Sequence, residues 1–383
     1  MKAFFIVPQI THYRESFYEK LVKANPQFEW LIIDSEKKVK DAGRPSLYKN
    51  FNFPTKRFPE SVKMLGPYTI RNYPGLAEFV KNEKPELVIM PTIVGTGSYR
   101  NIARWCKSND KKLILWSCLW ENESVNKSAL KIFKQAAFRR FINMASDHIT
   151  YSSFASKKLM NNGVPAETIQ IAYNGIDLDN IDQFKLNKDD IKEKKKDFDI
   201  SDHKTLLYVG ALGKDKKVDL LLRAFALFNK KEPSNNIKLI IIGDGTEKQS
   251  LENLNNELHL NKKTNFPGRI VNNVDHYFQL CDCFVLPGAG GLGLNQALYW
   301  QKPCIVSHAD GTEEDLIIDG VTGFRFKSSS EESLAQAISR WYCSDDDTLN
   351  QMGAAGKKIV ENKSNVNKMI DVFTNVIENM KLR

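Results

Sequence analysis

The chain has 383 residues and a formal net charge of +9, a length beyond what one core usually fills, so it predicts two domains of roughly 150 to 200 residues each. No apolar run approaches the roughly 18 residues needed to span a bilayer, and the opening apolar stretch Ala3 to Val7 is too short for a signal-peptide core. Six cysteines without a C-x-x-C pair fit a reduced compartment, so a cytoplasmic protein is expected. The positive charge asks for an acidic partner such as nucleic acid, anionic lipid or a nucleotide. There is no zinc-finger spacing, RNA-binding aromatic signature or helix-turn-helix, so nucleic acid is not expected.

Residues 3 to 7 read as a first buried strand, and Pro8 to Arg14 as the loop leaving it before a helix over Glu15 to Lys23. Ligands of open α/β sheets gather outside the carboxyl ends of strands. His12 and Arg14 are thus candidates to face a crevice, with ordinary polar loop residues as the alternative. Further strands are expected at Trp30 to Asp34, Leu87 to Met90 and Lys112 to Trp116. Between them, Phe51 to Tyr73 mixes aromatic and basic side chains (Phe53, Lys56, Arg57, Phe58, Lys63). It fits a binding or membrane-facing loop as well as a long connection packed on the sheet.

Lys127 to Asn143 sets Leu130, Phe133, Ala137 and Phe141 on one helical face, with Lys127, Lys131, Lys134 and Arg139 away from it. Such a helix either binds anionic lipid, at roughly 1 kcal/mol per basic residue near the surface, or packs on a core with its basic face solvated. A strand at His148 to Tyr151 follows, then a helix opened by Ser152 or Ser153 and stopped at Gly163, a strand at Ile169 to Tyr173 and the turn Asn174-Gly175. Residues 178 to 203 are charge-dense and poor in large apolar side chains, which suits a linker or a surface helix between domains.

Strands at Leu206 to Val209, Lys238 to Ile242, Thr264 to Phe266, Cys283 to Leu286 and Cys304 to Ser307 alternate with helical segments, as in a parallel sheet. Cys281 and Cys283 read as plain core residues. The centre of this half is CFVLPGAGGLGLNQALYWQKPCIVSHAD, Cys283 to Asp310: strand, glycine-rich turn, helix, strand. Glycines let backbone approach a ligand, and the amides of Gly290, Gly291 and Leu292 ahead of a helix suit a phosphate. A tight turn without a ligand is the alternative. Downstream, DGTEEDLIIDGVTGF places a polar cluster at the end of the next strand and then a Gly-Val-Thr-Gly turn. Ser364 to Met380 has helical apolar spacing.

The ordered series LLYVGALGKDKKVDLLLRAF, LIIIGDGTEKQSLENL, FPGRI, the glycine-rich stretch and DGTEEDLIIDGVTGF resembles the donor-binding domain of GT-B glycosyltransferases, specifically the retaining enzymes of family four. The likeness covers about the last half of the chain and, more faintly, the first. It implies an α/β fold of two Rossmann-like, doubly wound parallel-sheet domains facing a cleft. Residues 1–177 would bind the acceptor, 178–203 would be a linker and 204–363 would bind the nucleotide sugar, with the helix in 364–383 crossing back to the first domain.

The resemblance also implies roles. Lys216 matches the family's lysine, which stabilises the leaving diphosphate from the loop that begins at Gly210. The family's arginine position holds Ala211, and Lys214 or Lys217 would compensate. Gly243 and Gly245 would lie close to the nucleotide, and Gly268 to Ile270 at its base. The family's two glutamates fall on or near Gly288 and on Gln296. Gln296, beside Asn295, keeps hydrogen bonding to a ribose hydroxyl without charge, and Glu313 or Glu314 would replace the first carboxylate. With that carboxylate absent, a front-face retaining transfer is implied, in which a diphosphate oxygen accepts the acceptor's proton. In the first domain a family histidine is replaced by Ser117-Cys118-Leu119. His12 is the substitute base, and Arg14 and Cys118 are acceptor-side residues.

The expected protein is therefore a retaining, metal-independent glycosyltransferase without a cofactor. Its donor is a nucleotide diphosphate sugar, UDP favoured, and its acceptor a saccharide, lipid-linked, in surface polysaccharide or glycan biosynthesis. It would sit peripherally on an anionic membrane surface, the inner face of the cell membrane. Asp177-Leu178-Asp179 and Asp197-Phe198-Asp199, in a turn and in the charged linker, do not read as metal sites. The missing arginine and glutamate keep an alternative open, a catalytically weak GT-B protein acting as a binding or regulatory partner.

Overall fold

The computed structural model describes residues 1–36, 50–65, 68–117, 119, 129–179, 181–270 and 272–379. Two compact units result, residues 1–173 with 366–383, and residues 174–365.

The first unit holds β1 (Lys2–Ile6), β2 (Glu29–Glu36), β3 (Thr55–Pro59), β4 (Ser61–Leu65), β5 (Tyr68–Asn72), β6 (Leu87–Pro91), β7 (Lys112–Ser117), β8 (Asp147–Thr150) and β9 (Ile169–Ile171). Seven of them form a parallel sheet in the order β3-β2-β1-β6-β7-β8-β9, while β4 and β5 pair as an antiparallel hairpin. Runs such as AFFI and LVIM are apolar at every position because helices cover both faces of a parallel sheet. Successive side chains alternate between two cores. Phe5, Ile89 and Ile114 point to one, with Phe17 and Leu21 of the helix Glu15–Ala24. Phe4, Ile6, Val88 and Leu115 point to the other. The terminal helix Val366–Asn379 belongs to this unit, its Phe373 ring 5.3 Å from Trp116 and 5.9 Å from Phe5.

The second unit holds β10 (Lys204–Val209), β11 (Ile237–Ile242), β12 (Thr264–Gly268), β13 (Cys283–Leu286), β14 (Cys304–Val306) and β15 (Gly323–Arg325), all parallel, in the order β12-β11-β10-β13-β14-β15. Leu206, Leu239 and Val285 face one core and Leu207, Ile240 and Phe284 the other. Cys281 and Cys283 are fully buried. In each sheet the winding reverses once, between β1 and β6 and between β10 and β13, and ligand crevices open at such switch points beyond the carboxyl ends of the strands.

Several elements differ from expectation. β15 lies in the stretch read as a turn; it is three residues long, and Gly323 is required there because a Cβ would stand 2.2 Å from the Cys304 carbonyl oxygen. The stretch 178–203, read as a linker or a surface helix, carries the helix Lys188–Asp197, none of whose residues is buried; it packs against Val274–Leu280, and Ile181 and Ile200 are buried in the second unit. The helix predicted over Lys127 to Asn143 spans Ala129–Ile142. Among its described side chains Phe141 and Ile142 are buried, whereas Ala137, expected inside, is exposed along with Lys134 and Arg139. Lys127 and the side chains of Leu130, Lys131 and Phe133 lie outside the described residues.

Candidate functional site

The loops after β10 and β13 meet at the switch point of the second unit. The first is fixed by backbone contact with the loop after β11: Leu212 N–H donates to Asp244 O at 2.9 Å, and Glu247 N–H to Leu212 O at 2.9 Å. This contact demands glycines. A Cβ at Gly243 would lie 1.9 Å from Gly210 O, and one at Gly245 2.4 Å from Leu212 O. Gly210 itself sits 2.7 Å, by the same measure, from the Tyr208 hydroxyl, which donates to Ala211 O at 2.9 Å. The three glycines expected near a nucleotide therefore have a packing duty of their own.

Lys216 links the two loops. From a short turn at Lys214–Lys216 its ammonium donates to Ala289 O at 3.0 Å and to Gly290 O at 2.9 Å, with Asp215 Oδ2 at 3.4 Å. The return contact runs from Ala289 N–H to Asp215 O, 2.9 Å. A Cβ on Gly288 would come within 2.4 Å of that same carbonyl oxygen, so the glycine admits the neighbouring loop. The other two lysines do not converge here. Lys217 has φ 51° and begins the helix Val218–Lys231, which turns its side chain to Ser329 Oγ at 2.9 Å and Ser328 Oγ at 3.3 Å. Lys214 is exposed and lines a cavity of about 490 Å³ with Asp219, Arg223 and Glu247.

Beyond the glycine loop the helix Gly293–Tyr299 begins directly after Leu292. Asn295, expected at the donor, is instead a buried tie: its amide donates to Asn174 O at 2.9 Å and to Ser364 Oγ at 2.6 Å, joining the start and end of the unit. Gln296, one residue on, is half-buried on another face, and its Nε2 lies 3.4 Å from Asp275 Oδ1. Trp300 Nε1 donates to the same oxygen at 2.7 Å. Asp275 is thus a carboxylate beside Gln296 that no motif in the sequence signalled. Ile270 is half-buried and packs on the core beneath.

After β14 the polar cluster sorts its acids. Glu313 is 1% exposed and folds its own loop, accepting Ala309 N–H at 2.6 Å and Gly311 N–H at 3.1 Å. Burial raises its pKa, with the charge of Asp310 adding to that and the loop amides opposing it. Glu314 is paired with His308 Nδ1 at 2.8 Å and with Arg325. Partial burial pushes its carboxyl up, but His308 and Arg325 outweigh that and hold it below the usual range. Both glutamates expected to supply the missing carboxylate are committed elsewhere. The acid beside the glycine loop is Asp310, whose Oδ2 is 2.8 Å from where a Cβ on Gly290 would sit. Its place in the DGTEED cluster was the only signal for it. Among the described residues, His308, Glu313 and Glu314 could offer metal-ligand atoms within 4.8 Å of one another, but the Arg325 guanidinium already compensates Glu314 and would repel a cation.

Residues 190–359 match the family model described as Glycosyl transferases group 1. The match lies within the second unit, which is therefore the part of the chain similar to group 1 glycosyltransferases. The chain is 29% identical over 185 residues to the Campylobacter jejuni N-acetylgalactosamine-N,N'-diacetylbacillosaminyl-diphospho-undecaprenol 4-alpha-N-acetylgalactosaminyltransferase, covering 47% of this chain and 46% of that one. It is 26% identical over 228 residues to the capsular polysaccharide biosynthesis glycosyltransferase CapM of Staphylococcus aureus, covering 57% and 58%. The chain thus spans about half the length of these curated relatives. Among solved structures, Anabaena HepE in complex with UDP matches with a TM-score of 0.74 at 17% identity, covering 99% of this chain and 100% of that one. This likeness shows the fold, the two α/β parallel-sheet domains of GT-B.

In the first unit, which lies outside the group 1 match, His12 is exposed at the carboxyl end of β1, its ring 5.4 Å from Tyr13. Arg14, expected to face a crevice, is only 6% exposed. A short helical turn at His12–Arg14 folds it inward, 5.0 Å from the Trp116 ring centre and 5.3 Å from that of Tyr151, with Met369 Sδ at 3.4 Å. Cys118 lies outside the described residues. The aromatic stretch divides: Phe53, Phe58 and Tyr73 are buried, whereas Val62, Met64 and Ile70 of the β4–β5 hairpin are 46%, 67% and 41% exposed. No described helix is long and apolar enough to cross a membrane.

Proposed function

We propose that the chain is a retaining glycosyltransferase that moves a sugar from a nucleotide diphosphate sugar, UDP favoured, to a saccharide acceptor carried on a lipid. The observation that carries this reading is the Lys216 ammonium set against the Ala289 and Gly290 carbonyls at the switch point of the second unit. A cation held in that crevice, with the backbone of Gly290, Gly291 and Leu292 beside it, suits the charge that builds on a departing diphosphate. The diphosphate oxygen accepts the acceptor's proton on the same face, so the missing loop glutamate is not needed as a nucleophile. Gln296 serves the ribose. His12, exposed in the first unit, is the acceptor-side candidate that orients the acceptor hydroxyl while its proton passes to the diphosphate. The transfer needs no metal ion and no cofactor.

UDP is favoured because a structural neighbour was solved with UDP-glucose. A lipid-linked acceptor is favoured because the C. jejuni relative is named for a diphospho-undecaprenol acceptor. The exposed hairpin and the basic residues Lys134 and Arg139 of the Ala129–Ile142 helix suit a peripheral place on an anionic membrane, from which a surface glycan is built.

The reading is tested by incubating the full chain with a panel of UDP-sugars and lipid-linked saccharides in excess EDTA. Transfer with retained anomeric configuration is expected. Donor binding without transfer to any acceptor would instead favour a GT-B protein that acts as a binding partner.

A further inference from the structure

The glycine-rich loop cannot recognise a sugar with its own side chains. Gly288, Gly290, Gly291 and Gly293 have none, Ala289 is buried, and Leu292 is apolar. At Gly291 a Cβ would meet nothing within 4 Å, so the loop is open there. Any side-chain contact from this unit must come from neighbouring strand ends. Among the described residues, two charged groups reach Gly290: Lys216 bonds its carbonyl, and Asp310 Oδ2 stands 2.8 Å from where a Cβ on Gly290 would sit.

We infer that Asp310 recognises the transferred sugar, its carboxylate accepting hydrogen bonds from donor-sugar hydroxyls above Gly290. The inference rests on the nucleotide-sugar reading of this site. Asp310 is held for the task. Its Oδ1 accepts Thr312 N–H at 3.0 Å, and buried Glu313 anchors the loop from below through Ala309 and Gly311. Oδ2 is the oxygen nearer Gly290. The opposite charges sort the two ends of the donor. An anion repels a diphosphate but accepts from hydroxyls, while an ammonium attracts the diphosphate. A side chain at Gly290 would crowd the Asp310 carboxylate and shift it.

The test compares the full-length wild type with Asp310→Asn, Asp310→Ala and Gly290→Ala. UDP affinity is measured by calorimetry, and transfer kinetics with the UDP-sugar the wild type uses and its deoxy analogues. Asp310→Asn keeps an acceptor for the Thr312 amide, so it separates recognition from loop folding. In Asp310→Asn and Asp310→Ala, UDP affinity is expected to stay within about twofold while kcat/KM falls about 100-fold, the scale of losing a polar contact made by a built site, and Gly290→Ala, which crowds the carboxylate, should lose a similar factor in kcat/KM. One deoxy donor should cost the wild type a similar factor and cost Asp310→Ala nothing more, the non-additivity of groups in direct contact. Wild-type kcat/KM in Asp310→Asn and Asp310→Ala, or additive losses for every deoxy donor, would overturn the assignment. Failure of the wild type itself to bind any nucleotide would remove the underlying reading along with it, so the two failures are distinguishable.

Discussion

Replacing Lys216 separates charge from tethering. Its ammonium is held by two carbonyl oxygens of the glycine loop, and its side chain is only 16% exposed, so solvent screens it little. A charge-assisted contact to a departing anion in such a site contributes about 2 to 4 kcal/mol to the transition state. Lys216→Ala should therefore lower kcat/KM about 30- to 1000-fold. It should also cost about 1 kcal/mol of stability, because the loops after β10 and β13 lose their side-chain link. Lys216→Gln keeps N–H donors for Ala289 and Gly290 but carries no charge. Tm should thus recover toward wild type in Lys216→Gln while turnover stays low. Steady-state kinetics with a UDP-sugar, beside thermal melts, decide the point, and a Lys216→Gln enzyme with wild-type kcat/KM would refute the electrostatic role.

Other consequences follow from the same structure. Burial pushes His148 down from 6.5 to about 4, so the unfolded chain takes up the proton first. The stability this gives is full above about pH 6.5 and is lost as pH falls toward 4, about 3 kcal/mol in all; His148→Leu should flatten that part of a stability–pH profile measured by urea unfolding. Asn295→Ala should destabilise by about 1 to 3 kcal/mol, because the Asn174 carbonyl and Ser364 lose a buried partner, and calorimetry should show UDP affinity unchanged. Binding to anionic vesicles in a flotation assay should weaken between 0.1 M and 1 M salt, as the Debye length falls from about 10 Å to about 3 Å. It should also weaken when Lys134 and Arg139 become Glu or when Met64 becomes Asp; a wild type that ignores the vesicles at low salt would sink the membrane assignment.

The parallel sheets were legible because strands buried on both faces are apolar at nearly every position, as in LIII of β11. Short elements were not. β15 carries only three residues and reads as a turn until its Gly323 contact with β14 is seen. The hairpin β4–β5 was hidden in a stretch whose buried aromatics belong to β3 and its surroundings. At the site, Lys216 was singled out by its likeness to the family's lysine, and its ammonium lies against the Ala289 and Gly290 carbonyls. The fates of Asn295, Lys217, Glu313 and Glu314 were illegible because each depends on a partner distant in sequence or on a local turn: Ser364, Ser329, the Ala309 and Gly311 amides, and Arg325. Sequence spacing names the loop that carries an acid, but which acid in DGTEED faces the glycines is decided by backbone direction within one turn. Arg14 was misplaced for a related reason, since a polar residue at a strand's carboxyl end folds inward when aromatic rings wait there.

Calorimetric titration of the full chain with UDP, GDP, ADP and CMP tests most directly whether the second unit holds a nucleoside diphosphate beside Lys216. Saturable binding of UDP, at least tenfold weaker in Lys216→Ala by loss of about 1.4 kcal/mol or more, is the predicted result. Binding of GDP alone would keep the site and replace the base. No binding of any of the four would contradict the account.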